Sequence, residues 1–133
     1  MAVVVSKLTR KVRMNLQEKL GIPQETKGSK YHNVKVRLDG YLFDSIRERD
    51  RYLQLLMRQK MGEISGLTVH PRFPLVIKGE HVATYVGDFS YYIQHSDIKG
   101  VFVVEDVKGV KTAIYKLKKK LMKSVCGIKI CEI

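Results

Sequence analysis

The sequence contains no long apolar run: nothing in it approaches the roughly 20 consecutive apolar residues that cross a bilayer as a helix, so no membrane-spanning helix is expected. Its opening apolar stretch, Met1 to Val5, is too short for a secretory signal, and the basic residues follow that stretch instead of preceding it. Cysteine is scarce. Cys126 and Cys131 come late, without a companion metal-ligand cluster, and read as reduced core thiols of a cytoplasmic protein. Acidic residues are also few, 13 against 25 lysines and arginines, and the resulting charge of +12 favours a polyanionic partner such as nucleic acid, the bland alternative being solubility alone. Internal repeats and low-complexity segments are absent. What remains is 133 residues, 44% hydrophobic and 29% charged, a soluble balance with enough apolar material for one compact core.

Apolar residues recur every four positions at Leu8, Val12, Leu16 and Leu20, which predicts a basic amphipathic helix over Ser6 to Leu20, stopped by Gly21 and Pro23. Gln24 to Lys30 has no period and reads as a flexible basic linker, so residues 1–28 form an N-terminal appendage and 29–133 the main domain. Val34 and Val36 alternate with Lys35 and Arg37, and Asp39-Gly40 then precedes Tyr41-Leu42-Phe43, the signature of a β-hairpin. Ser45 followed by Glu48 is a capping-box pattern. It predicts a helix running to about Met61 with Ile46, Leu53, Leu56 and Met57 on its apolar face. Pro71 and Pro74 place short extended stretches at a sheet edge or bend. A strand is expected from about Val82 to Ile93, interrupted by Gly87, and a central one over Val101 to Val107, where the apolar run is almost continuous. Ile114, Leu117, Leu121 and Val125 mark one face of a last helix, before a strand over Ile128 to Ile133. The expected core is therefore α/β, in the order α-β-β-β-α-β.

Residues two apart on a strand point to the same side, so Asp106 and Lys108 share a face at the strand's end, beside Gly109. If the preceding strand pairs with this one, Asp88 can bring a second carboxylate close enough for both to share a cation. Two carboxylates drawn together repel unless a metal or a proton intervenes, and hard ions such as Mg²⁺ take such oxygen donors. The bland reading of the trio is a salt bridge at a sheet edge. Glu48 is open between a ligand and a helix cap, Asp50 reads as a solvated or arginine-paired acid, and Glu105, pointing opposite to Asp106, is the second choice for the acid. His70 reads as a loop or strand-end residue. Of the seven lysines from Lys108 to Lys123, Lys111, Lys116, Lys118, Lys119 and Lys120 are candidate phosphate contacts; the alternative is a merely solvated helix face.

The ordered segments Thr84-Tyr85-Val86-Gly87-Asp88-Phe89 and Val103-Val104-Glu105-Asp106-Val107-Lys108-Gly109 resemble the PD-(D/E)XK nucleases, with Gly87 where the family's name has proline. Small phage-encoded members share Phe43-Asp44-Ser45 followed by Glu48, then Pro71-Arg72-Phe73, and then Tyr115-Lys116-Leu117-Lys118-Lys119-Lys120-Leu121. The resemblance covers roughly Ser29 to Ile133. It implies a restriction-endonuclease-like core, a mixed sheet flanked by helices, in which Asp88 bridges metal, Asp106 and the Val107 carbonyl complete its coordination with Glu48, and Lys108 orients or activates water. The implied reaction is hydrolysis of DNA phosphodiesters with Mg²⁺, for which Mn²⁺ would substitute. Because the resembled phage proteins include Holliday-junction resolvases, branched DNA and a homodimer with two active sites are expected, in the host cytoplasm if the chain is phage-encoded. The alternatives are a site-specific or general duplex nuclease and a non-catalytic basic DNA-binding protein.

Overall fold

A computed structural model describes residues 34–95, 97 and 100–133, together with Lys19, Gly21 and the backbone of Pro23 and Gln24. The helix expected over Ser6 to Leu20 and most of the following linker lie outside the described residues. The linker's first residue differs from expectation, because Pro23–Gln24 forms strand β1. The chain divides into two compact units, Met1–Arg51 and Tyr52–Ile133.

In the first unit, β1 pairs antiparallel with β2 (Lys35–Leu38), which pairs antiparallel with β3 (Tyr41–Phe43). The expected hairpin is present. Its two turn residues, Asp39 and Gly40, have φ of 52° and 81°, the positive pair required by the turn whose twist matches the flanking strands. Helix α1 (Ile46–Lys60) begins in this unit and continues into the next. Its start follows the sequence signal: the Glu48 amide donates to Ser45 Oγ at 3.1 Å. The return bond differs from a standard capping box, because the Glu48 carboxylate accepts from the Asp44 amide, one residue before the cap.

The second unit holds a four-stranded mixed sheet in the order β4-β7-β8-β9, from β4 (Ile64–Val69), β7 (Phe89–Ile93), β8 (Phe102–Asp106) and β9 (Cys131–Glu132). β7 runs antiparallel to both its neighbours, β4 and β8, and β9 joins β8 in parallel after helix α2 (Ala113–Cys126). Between β4 and β7 the chain makes a separate hairpin, β5 (Arg72–Ile77) with β6 (Glu80–Val86). The strand expected from Val82 to Ile93 is thus two strands in different sheets, divided at Gly87–Asp88. Pro74 lies within β5, which has a single partner strand and so tolerates the missing donor. Leu75, Tyr85, Val104, Tyr115, Met122 and Ile130 form one buried cluster joining the hairpin, the sheet, α2 and the approach to β9.

Both helices bury faces other than those their hydropathy suggested. On α1, Ile46, Leu53 and Met57 are 40%, 45% and 59% exposed, whereas Glu48, Tyr52 and Leu55 are buried. On α2, Ile114, Leu117 and Val125 are exposed and Leu121 is half-buried, while Tyr115 and Met122 face the core. The inner faces are built around groups that hydropathy scores as polar: a carboxylate on α1 and a tyrosine hydroxyl on α2, each carrying its own hydrogen bonds. Cys126 and Cys131 are free thiols but exposed, so the expected core placement is wrong. Among the described residues no helix is long and apolar enough to cross a membrane.

Candidate functional site

β8 ends on two adjacent buried acids that alternation sends to opposite sides of the sheet. Glu105 and Asp106 are each 1% exposed. A tyrosine hydroxyl holds each of them: Tyr91 donates to Glu105 Oε1 at 2.6 Å, and Tyr85 donates to Asp106 Oδ2 at 2.5 Å. Burying a carboxylate costs several kcal/mol unless it is paired and hydrogen-bonded. Asp106 divides that requirement between its oxygens: Oδ2 is hydrogen-bonded by Tyr85, and Oδ1, which accepts no hydrogen bond, is ion-paired with Lys108 Nζ at 2.8 Å. The Lys108 ammonium also sits 4.2 Å from the centre of the Tyr115 ring, whose π face favours a cation. The spacing of two that put Asp106 and Lys108 on one side therefore holds in space, although Lys108 lies beyond the strand's last residue.

Asp88 occupies the bend between the hairpin and β7, and the pairing that would bring it to β8 is present. Phe89 lies opposite Glu105, and the Asp88 amide donates to the Glu105 carbonyl at 3.0 Å. Its side chain is fixed as well, with Oδ2 accepting from the Val107 amide at 2.6 Å. Asp88, Val107 and the Asp106–Lys108 pair are thus tied to one strand end. His70, left outside the candidate set by sequence reasoning, belongs beside Asp88. One of its ring nitrogens and a carboxylate oxygen of Asp88 lie within 4.8 Å of each other. The His70 amide donates to the Asp88 carbonyl at 2.9 Å, and its φ is 51°, a left-handed conformation that a non-glycine residue adopts at a cost of about 1–3 kcal/mol. A lone histidine before Pro71 offered no signal of this; the positive φ did not show in the sequence.

The remaining acids separate clearly. Glu48 in the first unit is buried and bonded to the Asp44 amide, so its cap role is real and leaves the carboxylate's second oxygen outside that bond. Asp50 is exposed and pairs with Arg49 at 2.8 Å, the arginine-paired reading. Burial, followed by the neighbouring Asp106, pushes the Tyr85 phenol far above its ordinary range. Burial likewise raises Tyr115, assisted by Asp106 and then by its bond to Glu132. Both tyrosines stay protonated and act as donors across the physiological range.

A cluster of charge adjoins this site through Tyr115, whose hydroxyl donates to Glu132 Oε1 at 3.1 Å. Lys111 reaches Glu132 Oε2 at 2.6 Å, and Lys119 pairs with Oε1. Of the five lysines singled out by sequence, Lys111, Lys116, Lys119 and Lys120 line one groove, joined there by Lys123 and Lys129. Lys118 does not join them. It turns inward, donating to the Thr84 carbonyl of β6 at 3.0 Å, and so pins helix to hairpin. The Thr112 hydroxyl caps α2 by accepting from the Tyr115 amide at 3.1 Å, which fixes the residue that links both clusters.

Lys111 first, then Lys119, hold the Glu132 carboxyl at about 2, well below its ordinary 4.5. A carboxyl depressed on folding stabilises the protein fully above the unfolded value, and that contribution disappears as pH falls from about 4.5 to about 2. Acid unfolding of Glu132→Gln is therefore expected to depend less steeply on pH in that window than wild type does. Identical slopes by circular dichroism would show that the three contacts add nothing.

A family model described as a protein of unknown function, DUF1064, matches residues 28–127. No curated protein and no solved structure matches the chain.

Proposed function

We propose that this chain, which belongs to the DUF1064 family, is a divalent-metal-dependent DNA endonuclease with a core of the restriction-endonuclease type. The observation that carries this reading is the buried Asp106–Lys108 pair at the end of β8, with Asp88 bonded to the backbone of the residue between them. A carboxylate buried to 1% and a half-buried ammonium at one strand end, beside a second fixed carboxylate, are costly to maintain for stability alone.

The donors fit a hard divalent ion. Asp88 and Asp106 would hold Mg²⁺ or Mn²⁺ with the Val107 carbonyl, Glu48 is proposed as a further carboxylate, and His70 offers an imidazole beside Asp88. Such an ion would supply positive charge against the negative charge that develops on phosphate oxygens during hydrolysis. Lys108 has its own task. Its ammonium, anchored between Asp106 and the Tyr115 ring, is positioned to donate to a water or to a phosphate oxygen. Tyr85 keeps the Asp106 carboxylate in place from behind.

Branched DNA as the substrate, a homodimer cutting two strands and a cytoplasmic setting rest on the resemblance to small phage nucleases. Cleavage of a four-way junction should be compared with flap, linear duplex and single strand in Mg²⁺ and in Mn²⁺, with Lys108→Ala as control. Paired symmetric nicks in the junction, lost in the variant, are expected. A protein that cuts none of these substrates with either metal is not a nuclease. The lysine groove favours one other reading, a non-catalytic DNA-binding protein. That reading predicts that Asp88→Ala leaves DNA binding and every metal response unchanged.

A further inference from the structure

Between α2 and the approach to β9 lies a groove of about 440 Å³ whose lining includes six lysines, Lys111, Lys116, Lys119, Lys120, Lys123 and Lys129, and one acid, Glu132. Six lysines around one concavity gather like charges on one face, and neighbours closer than a Debye length, about 8–10 Å at ordinary salt, repel without full screening. Solubility alone would be served equally by spreading them. The chain relieves the repulsion at a single point: the Glu132 carboxylate takes Lys111 on one oxygen and Lys119 with the Tyr115 hydroxyl on the other. Lys116, Lys120, Lys123 and Lys129 pair with no acid among the described residues. An anion with its oxygens shared among ammonium and hydroxyl donors is what a phosphate group would be in the same place.

We infer that this groove binds the phosphodiester backbone of DNA, and that Glu132 is a resident anion competing with the incoming phosphate for Lys111 and Lys119. The lining contains one apolar residue, Ile130, and so offers no wedge for insertion into a lipid surface. The groove also communicates with the strand-end site, because Tyr115 contacts Glu132 through its hydroxyl and Lys108 through its ring. A strand seated on the lysines would therefore lead its backbone toward the Asp106–Lys108 pair. Only the choice of DNA as the phosphate carrier rests on the nuclease reading.

The test is binding of a labelled DNA duplex, measured by fluorescence anisotropy in EDTA so that the presence or absence of cleavage does not enter. The variants are Lys116→Ala/Lys120→Ala/Lys123→Ala together, and Glu132→Gln. The triple variant is expected to bind more weakly and to lower the slope of log affinity against log salt by about 0.9 for each lysine that touches a phosphate. Glu132→Gln is expected to bind about fivefold more tightly at low salt, the effect of removing one opposing charge a few ångströms from a phosphate in water. Thermal melts confirm that each variant is folded. Unchanged affinity and salt slope in a folded triple variant would overturn the groove as a DNA site, and unchanged or weaker binding by folded Glu132→Gln would overturn the competition. Binding to phosphatidylserine vesicles without binding to DNA would overturn the proposed partner. Failure to cleave any DNA leaves all of these readouts intact.

Discussion

On the nuclease reading proposed above, Asp106→Asn is expected to slow DNA cleavage by about 10²–10³-fold, the scale of loss when one preorganised electrostatic group is removed from a hydrolytic site. The substitution is nearly isosteric, so its effects on the fold and on the chemistry can be read apart. Tyr85 can still donate to the amide oxygen, which turns the amide nitrogen toward Lys108 and sets donor against donor where the carboxylate stood 2.8 Å from the ammonium. Lys108 then loses this ion pair and keeps its contact with the Tyr115 ring. A buried charge is removed together with its partner's compensation, and these oppose each other, so the stability change should stay within about 1–3 kcal/mol. Single-turnover cleavage alongside a thermal melt separates the two effects. If folded Asp106→Asn cleaves within about tenfold of wild type, Asp106 is structural, and Glu105→Gln becomes the decisive variant. Glu105 is equally buried but faces the other side of the sheet, held by Tyr91.

The parts of this fold legible in the sequence are those in which a local rule acts alone. Asp39-Gly40 specifies its turn through backbone conformation, and Ser45 with Glu48 marks a helix start through a hydrogen bond three residues long. Strand alternation likewise sufficed for Asp106 and Lys108. What was not legible depends on packing. The inner faces of both helices carry Glu48, Tyr52 and Tyr115, so the positions richest in plain hydrocarbon, Leu53, Met57, Ile114 and Leu117, point outward. The β5–β6 hairpin turns on Lys78-Gly79, with φ of 50° and 79°; Gly79 suits such a position, but Lys78 seldom announces one, so only half of the turn is written in the sequence. His70 entered the site for the same reason: a strained backbone, fixed by its bond to the Asp88 carbonyl, directs a ring that sequence pattern leaves unassigned.

Gly87, the position at which the name of the resembled family has proline, makes a sharper test of that backbone. Gly87→Pro is expected to destabilise the protein by about 2–6 kcal/mol and to abolish whatever activity Asp88 supports. The Gly87 amide donates to the Pro71 carbonyl at 3.0 Å, a bond that proline cannot make, and leaving a buried carbonyl unpaired costs about 1–3 kcal/mol. The second cost is steric. A Cβ at this position would lie 3.1 Å from Val104 Cγ1 and 3.4 Å from Tyr85 Cε1, and overfilling a packed core costs about 1–3 kcal/mol more. Both neighbours matter to the site. Val104 is two residues from Asp106 on the same strand face, and Tyr85 holds the Asp106 carboxylate, so a shift of either moves that acid as well as Asp88. Gly87→Ala keeps the amide donor and retains only the steric part, so it should cost about half as much and preserve the Pro71 bond. Chemical denaturation of the two variants distinguishes the contributions. Equal losses would assign the whole effect to crowding against Val104, and a proline variant as stable as wild type would mean that the Pro71 contact does not hold the bend at Asp88.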